Sequence, residues 1–168
     1  FVNPTQFNDP KDLQRYPRTL EADIEVASAA GATYVLAPKA EELYADGYAY
    51  RVEESQESTV LEGPLRPGHF SGMLTIVLKL LNIAQAQRAY FGEKDFQQLV
   101  LIQSLVKAFF LSTEIVACPT IREPSGLARS SRNELLDPQE RKLAAELSRV
   151  LLQKTPIAEA VQKLSKKG

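Results

Sequence analysis

A chain of 168 residues, 44% hydrophobic and 24% charged, is long enough to bury a core and ordinary for a globular protein. Its formal net charge of −1 gives no long-range pull toward nucleic acid or an anionic membrane, so neither is expected as a partner and basic groups must act locally. The lone cysteine, Cys118, excludes an internal disulfide and fits a reducing compartment; with no apolar stretch long enough to span a bilayer and no signal peptide, the cytoplasm is the expected location.

Phe1 to Phe7 reads as the end of a buried strand running into a turn, with Asn3 biased toward an extended conformation by Pro4. A start at Phe1, without methionine and inside such a strand, leads us to expect a further segment upstream. Thr19 is placed to cap a helix whose first turn carries Glu21 and Asp23, and Gly31 fits its C-terminal cap. Thr33-Tyr34-Val35-Leu36 reads as a short buried strand stopped by Pro38. Tyr48 to Val52 alternates at strand period, and Glu53 to Ser58 follows as a solvated turn. The apolar density from Gly72 to Ile83 is that of a buried helix. Ala89-Tyr90-Phe91 forms an apolar strand ending at Gly92, and Asp95 or Phe96 starts a helix to about Phe110, with Leu99, Ile102, Val106 and Phe109 on one face. Glu114 to Ala117 reads as the next strand, with Cys118 a buried small hydrophobe at its end.

After Pro119 the character changes. Thr120 to Asn133 is polar, basic and contains glycine, Pro138 sits in the first turn of a charged helix reaching about Gln153, and Pro156 opens a shorter one. Alternating helix and strand patterns argue for an α/β fold with a mostly parallel sheet. The shift in composition predicts a sheet domain over 1–119 and a smaller helical piece over 120–168.

Two segments carry the candidate chemistry. Gly92-Glu93-Lys94-Asp95 lies where a strand meets a helix, the crevice in which open α/β sheets collect ligands. Gly92 lets backbone approach a ligand, the helix start offers unpaired N–H groups, and Lys94 adds a point charge; a plain turn with Asp95 as N-cap is the competing reading. Arg129-Ser130-Ser131-Arg132 sets two hydroxyls beside two guanidiniums, suited to polyphosphate oxygens, although the same residues before Asn133 also suit a helix cap. Together they suggest a nucleotide held by two segments. Gln98 lies one turn beyond Lys94, and Gln6 offers an amide beyond the first strand end. His69, the only histidine, has no second histidine or cysteine nearby in sequence to share a metal; a structural or capping role competes with ligand binding.

The words Phe1-Val2-Asn3-Pro4-Thr5-Gln6-Phe7, Tyr16-Pro17-Arg18-Thr19, Leu61-Glu62-Gly63, Arg66-Pro67-Gly68-His69-Phe70, Gly92 to Gln98 and Ser130-Ser131-Arg132-Asn133 occur in an order and spacing that resembles the pantothenate synthetase family. The resemblance implies a Rossmann-like nucleotidyltransferase sheet followed by part of a small C-terminal lid. It implies ATP binding by Gly92, Glu93, Lys94, Asp95, the Ile121 backbone, Arg129, Ser130, Ser131 and Arg132, with Lys94 and Arg132 supporting the transition state. Gln6 and Gln98, with Asn3 and His69 as neighbours, would hold pantoate and β-alanine, while Gln97 receives no ligand role. Asp95 would face the nucleotide or its Mg2+. Arg129 departs from the leucine or methionine usual at that position.

The implied reaction is ATP-dependent joining of pantoate to β-alanine through a pantoyl adenylate, releasing AMP and pyrophosphate, in a homodimer. The family's Met-Gly-x-Leu-His-x-Gly-His signature, which carries its catalytic histidine, is not found among these residues, so residues 1–168 alone are expected not to turn over. Two rivals stand beside this reading: an adenylyltransferase of the same superfamily with another acceptor, and a fragment that dimerises or binds ligand without catalysis.

Overall fold

The computed structural model describes residues 1–153 and 156–166, which fall into two compact units, Phe1–Cys118 and Pro119–Gly168. The first unit opens with a 3-10 turn at Pro4–Gln6 and helix α1 (Pro10–Arg15), started by the Asp9 carboxylate, which accepts from the Lys11 N–H at 2.8 Å. Helix α2 (Leu20–Ala29) ends as its sequence predicts: Gly31 takes φ 89°, its N–H reaches the Ser28 carbonyl and the Ala32 N–H reaches that of Ala27. These are the two bonds of a Schellman cap, which satisfy carbonyls the helix end leaves orphaned. Thr19 holds the N-cap position, but its hydroxyl donates to the Asp23 carboxylate at 3.3 Å and caps no amide.

The short α3 (Ala40–Leu43) buries Leu43, and α4 (His69–Ala84) starts three residues before the expected Gly72. Strand β1 (Arg88–Gly92) leads through a 3-10 turn at Glu93–Asp95 into α5 (Phe96–Ala108), which returns to strand β2 (Glu114–Cys118). The strands pair in parallel, from Arg88 opposite Glu114 to Gly92 opposite Cys118. This βαβ crossover is what the alternating sequence patterns lead to. Phe70, Met73 and Leu74 of α4 interlock with Leu101, Ile102 and Leu105 of α5, and Val52, Val77, Leu78, Phe91 and Ile115 close around them. Burying each such side chain contributes about 1.5–3 kcal/mol, so this cluster fixes α4 and the crossover as one body.

Several expectations fail, each for a physical reason. Thr33–Leu36 is not a strand: Tyr34 is 91% exposed and Leu36 57% exposed. A strand needs a ladder partner, and the sheet among the described residues consists of β1 and β2. Tyr48 to Val52 is not a strand either. Tyr48 adopts φ 64°, and the Val52 backbone is served by helix side chains, its N–H donating to Thr75 Oγ1 at 2.9 Å and its carbonyl accepting from Ser71 Oγ at 2.7 Å. No strand forms at residues 1–3, and Phe1 is half-exposed. Phe109, expected on the buried face of α5, lies past the edge of the core and is 49% exposed. Cys118 is only partly buried, at the end of a strand with little covering it. Asp95 takes the N-cap position without a capping side-chain bond.

In the second unit a hairpin over 121–129 closes through the Arg122–Ala128 bridge, with Gly126 at φ 89° in its turn. A 3-10 turn at Ser131–Leu135 precedes α6 (Pro138–Leu152), and α7 (Ile157–Ser165) follows. The start of α6 is a full capping box. Asp137 accepts from the Gln139 and Glu140 amides, and Glu140 accepts in return from the Asp137 N–H at 2.9 Å. Among the described residues no helix is long and apolar enough to cross a membrane.

Candidate functional site

In the first unit the site is built on the Pro4–Gln6 turn where it lies against α4. Gly72 is what allows this approach: a Cβ there would sit 2.4 Å from the Thr5 carbonyl oxygen and 2.9 Å from the Gln6 nitrogen. Asn3 is buried, and its amide makes four hydrogen bonds. Its Nδ2 donates to the Gly72 carbonyl and to Gln6 Oε1, both at 3.1 Å. Its Oδ1 accepts from the Tyr44 hydroxyl at 2.7 Å and the Thr5 hydroxyl at 3.1 Å. The Gln6 amide thus turns its oxygen toward Asn3, and its Nε2 hydrogens remain for a ligand.

His69 is 5% exposed at the first position of α4, and its Nδ1 lies 2.8 Å from the Gln6 carbonyl. A carbonyl only accepts, so Nδ1 carries the proton and Nε2 keeps its lone pair. Burial holds the ring below its ordinary pKa of 6.5; the Gln6 carbonyl and the Asp95 and Glu62 carboxylates oppose that shift, while Arg66 adds to it. The imidazole is therefore a neutral, oriented group that locks the backbone of Gln6.

That turn is exposed at Gly92, Glu93, Lys94 and Asp95. Lys94 Nζ lies 3.6 Å from its neighbour Asp95, a solvent-screened contact that is weak enough to exchange for a phosphate oxygen. No Cβ at Gly92 would meet a neighbour, so backbone there is open to close approach. Gln98 is partly buried in the first turn of α5. Gln97 points elsewhere. Its Nε2 donates to the Glu57 and Val60 carbonyls at 2.8 Å each, and its Oε1 accepts from the Glu62 N–H at 3.1 Å. It pins the 57–62 segment to the start of α5.

In the second unit the hairpin ties Ile121 to Arg129, whose N–H donates to the Ile121 carbonyl at 3.0 Å. Ser130, half-buried, accepts from the Arg132 N–H at 3.3 Å, so it holds the capping role beside the exposed Ser131. Arg129, Ser130 and Ser131 line an open pocket of about 690 Å³, with Glu123, Asn133, Glu134 and Arg141 on its walls. The fork between Arg141 and Glu123, at 2.7 and 3.2 Å, holds that carboxylate below its usual range and takes up its charge. Asn133 is buried beneath, donating to Glu123 at 3.2 Å and to the Ala128 carbonyl at 3.0 Å. Among the described residues no group of three or more His, Cys, Asp or Glu is placed to hold a metal.

Asn3, Gln6 and His69 stand out separately in the sequence, and the fold joins them directly. The sequence gives no role to Thr5, Tyr44 and Asn133, whose work is hydrogen bonding to neighbours set by the fold. A signal existed for Thr5, which shares one short polar word with Asn3 and Gln6; Tyr44 offered none.

Comparison with known proteins sets these observations in context. The sequence model of the pantoate-beta-alanine ligase family matches residues 1–167. The pantothenate synthetase of Legionella pneumophila (strain Lens) is 54% identical over 153 residues, covering 91% of this chain, which spans 61% of that relative's length. That of Bdellovibrio bacteriovorus is 49% identical over 168 residues, covering all of this chain and 67% of its own. Among solved structures, the pantoate-beta-alanine ligase of Francisella tularensis, complexed with beta-gamma ATP and beta-alanine, matches with a TM-score of 0.93 at 44% identity, over 100% of this chain and 66% of that one. The pantothenate synthetase of Thermus thermophilus matches with a TM-score of 0.89 at 44% identity, over 99% of this chain and 63% of its own. The Rossmann-like α/β fold with a parallel sheet, expected from the sequence, is the one shared with these structures, and the chain belongs to the pantoate-beta-alanine ligase family.

Proposed function

We propose that these residues form part of an enzyme that joins pantoate to β-alanine at the expense of ATP. The observation that carries this reading is the likeness over the whole chain to a ligase solved with beta-gamma ATP and beta-alanine. In this reading residues 1–119 are the ATP- and pantoate-binding domain, and residues 120–168 begin a lid.

The chemistry follows from the groups available. The Gln6 Nε2 and the Gln98 amide donate to pantoate, with Asn3 and the neutral His69 fixing Gln6, so that the carboxylate is held for attack on the α-phosphorus. As the new P–O bond forms, the bond from that phosphorus to pyrophosphate breaks. Lys94 compensates the charge that moves onto the leaving group, and Ser130, Ser131 and Arg132 give hydroxyl donors and a further cation to phosphate oxygens. Gly92 and Glu93 supply backbone to the nucleotide, the Ile121 backbone contacts its base, and Arg129 adds a cation at the start of the clamp. The β-alanine amine then attacks the acyl carbon, and AMP leaves with the electron pair of the acyl–oxygen bond.

Mg2+ fits this donor set, because it is usually held by one or two carboxylates plus substrate phosphates, and Asp95 is an exposed carboxylate beside Lys94. Bound there, it neutralises phosphate charge. We further propose a cytoplasmic homodimer, and that residues 1–168 by themselves bind ligand without completing the reaction. The test is a titration of isotope-labelled protein followed by nuclear magnetic resonance. Pantoate is expected to shift Gln6, Gln98 and His69, and ATP to shift Gly92 to Asp95 and Ser130 to Arg132. Pantoate that leaves Gln6 and Gln98 unmoved overturns the assignment.

A further inference from the structure

The cluster beneath Gln6 carries an inference about how that side chain is aimed, one that rests on the reading of Gln6 as a pantoate contact. We propose that Tyr44 is a positioning residue that decides which end of the Gln6 amide faces the substrate, acting through Asn3. A primary amide offers a donor at one end and an acceptor at the other, and half a turn exchanges them with little change in shape. Something must therefore specify the orientation. The Tyr44 hydroxyl, 2.7 Å from Asn3 Oδ1, and the Thr5 hydroxyl, 3.1 Å from it, both donate to that oxygen. Asn3 Nδ2 is then turned to the Gly72 carbonyl and Gln6 Oε1. With its oxygen engaged, Gln6 has its NH2 group left to offer outward. A small hydroxy acid that presents a carboxylate needs that donor and is repelled by an acceptor.

Tyr44 is itself held in place. Lys79 Nζ sits 4.7 Å from its ring centroid and donates to the Leu43 carbonyl at 2.6 Å and to Asp46 at 3.1 Å. Tyr48 packs edge-on at 5.5 Å. Burial raises the phenol above its ordinary 10.0, with Thr5 and Asn3 opposing, so the hydroxyl keeps its proton at neutral pH. Removing it leaves Asn3 Oδ1 with Thr5 alone. A flipped Asn3 would turn its oxygen toward Gln6, which would then flip and offer Oε1 to the carboxylate. The Gly72 carbonyl still resists that flip, so the loss is partial.

The experiment is a pantoate titration by nuclear magnetic resonance, which reads weak affinities, on the wild type, Tyr44→Phe, Gln6→Ala and the double variant, with ATP as control ligand. Tyr44→Phe is expected to weaken pantoate about 2- to 10-fold, the range set by one hydrogen bond, and to leave ATP affinity unchanged. In the Gln6→Ala background it is expected to have no further effect. An unchanged pantoate affinity, an equal loss in both backgrounds, or a parallel loss of ATP affinity overturns the inference while leaving Gln6 as a contact. If Gln6→Ala binds pantoate like the wild type, both readings fall together. Thr5→Val, which removes the second hydroxyl donor, itself 3.1 Å from the Tyr44 hydroxyl, gives a companion variant with the same expected direction.

Discussion

Gly72→Ala tests whether the site depends on the closeness of the Pro4–Gln6 turn to α4. Taken alone, the substitution should help, since alanine in a helix interior is favoured over glycine by about 1 kcal/mol. The structure predicts the opposite sign. The added Cβ would lie 2.4 Å from the Thr5 carbonyl oxygen and 2.6 Å from its carbon, against 3.4 Å for ordinary contact, so backbone must retreat by about 1 Å. Both neighbours are main chain in a turn that Asn3 fastens to the Gly72 carbonyl, and the retreat breaks that bond. Overpacking of this kind costs about 1–3 kcal/mol, and a lost buried hydrogen bond adds about 1. Offset by the helix gain, the net is about 1–3 kcal/mol of destabilisation, or a melting midpoint lower by about 2–12 °C for a chain of this size. Thermal unfolding followed by circular dichroism reads the midpoint, and the pantoate titration reads the site, which should lose affinity beyond Tyr44→Phe. A stabilised Gly72→Ala protein with unchanged pantoate affinity would refute the reasoning.

Other outcomes follow from the same contacts. Ile102, 0% exposed at the centre of the α4–α5 core, should cost about 2–5 kcal/mol as Ile102→Ala in denaturant unfolding, whereas Phe109→Ala at the exposed end of α5 should cost far less. Asn133→Ala strands the Ala128 carbonyl and removes a donor from Glu123, and should destabilise the second unit by about 1–3 kcal/mol, read as faster amide exchange over 121–135. His69 titrates below its ordinary 6.5 in the fold, so below that pH the unfolded chain binds a proton that the folded chain refuses. Stability should therefore fall as pH drops below 6.5 and be insensitive to this group above it, and His69→Gln should flatten that slope in urea midpoints measured across the range.

The sequence was most legible where local chemistry decides structure. The Gly31 cap and the Pro138 start of α6 follow from residues a few positions apart, and the βαβ crossover follows from the alternation of strand and helix patterns. It was least legible where a tertiary partner decides. Tyr48 to Val52 alternates like a strand, yet Ser71 and Thr75 on α4 satisfy the Val52 backbone and no ladder forms. Thr33 to Leu36 has strand composition without a neighbour to pair with. The same division holds at the site. Asn3, Gln6 and His69 were visible as polar residues in unusual surroundings, but their union through Gly72 depends on a helix some seventy positions away. Tyr44 was invisible because a tyrosine at a helix end reveals nothing until its hydroxyl is seen on Asn3.

The measurement that bears most directly on the proposed function is pantoate-dependent exchange between ATP and pyrophosphate, without β-alanine. It is run on residues 1–168 and on the same residues joined to the family's Met-Gly-x-Leu-His-x-Gly-His segment. The account predicts no exchange from residues 1–168 alone and exchange from the joined protein, reduced about 100- to 1,000-fold by Lys94→Ala, as expected for losing a group that stabilises developing charge. Absence of exchange in the joined protein, or exchange that proceeds equally well without pantoate or without Lys94, would contradict it.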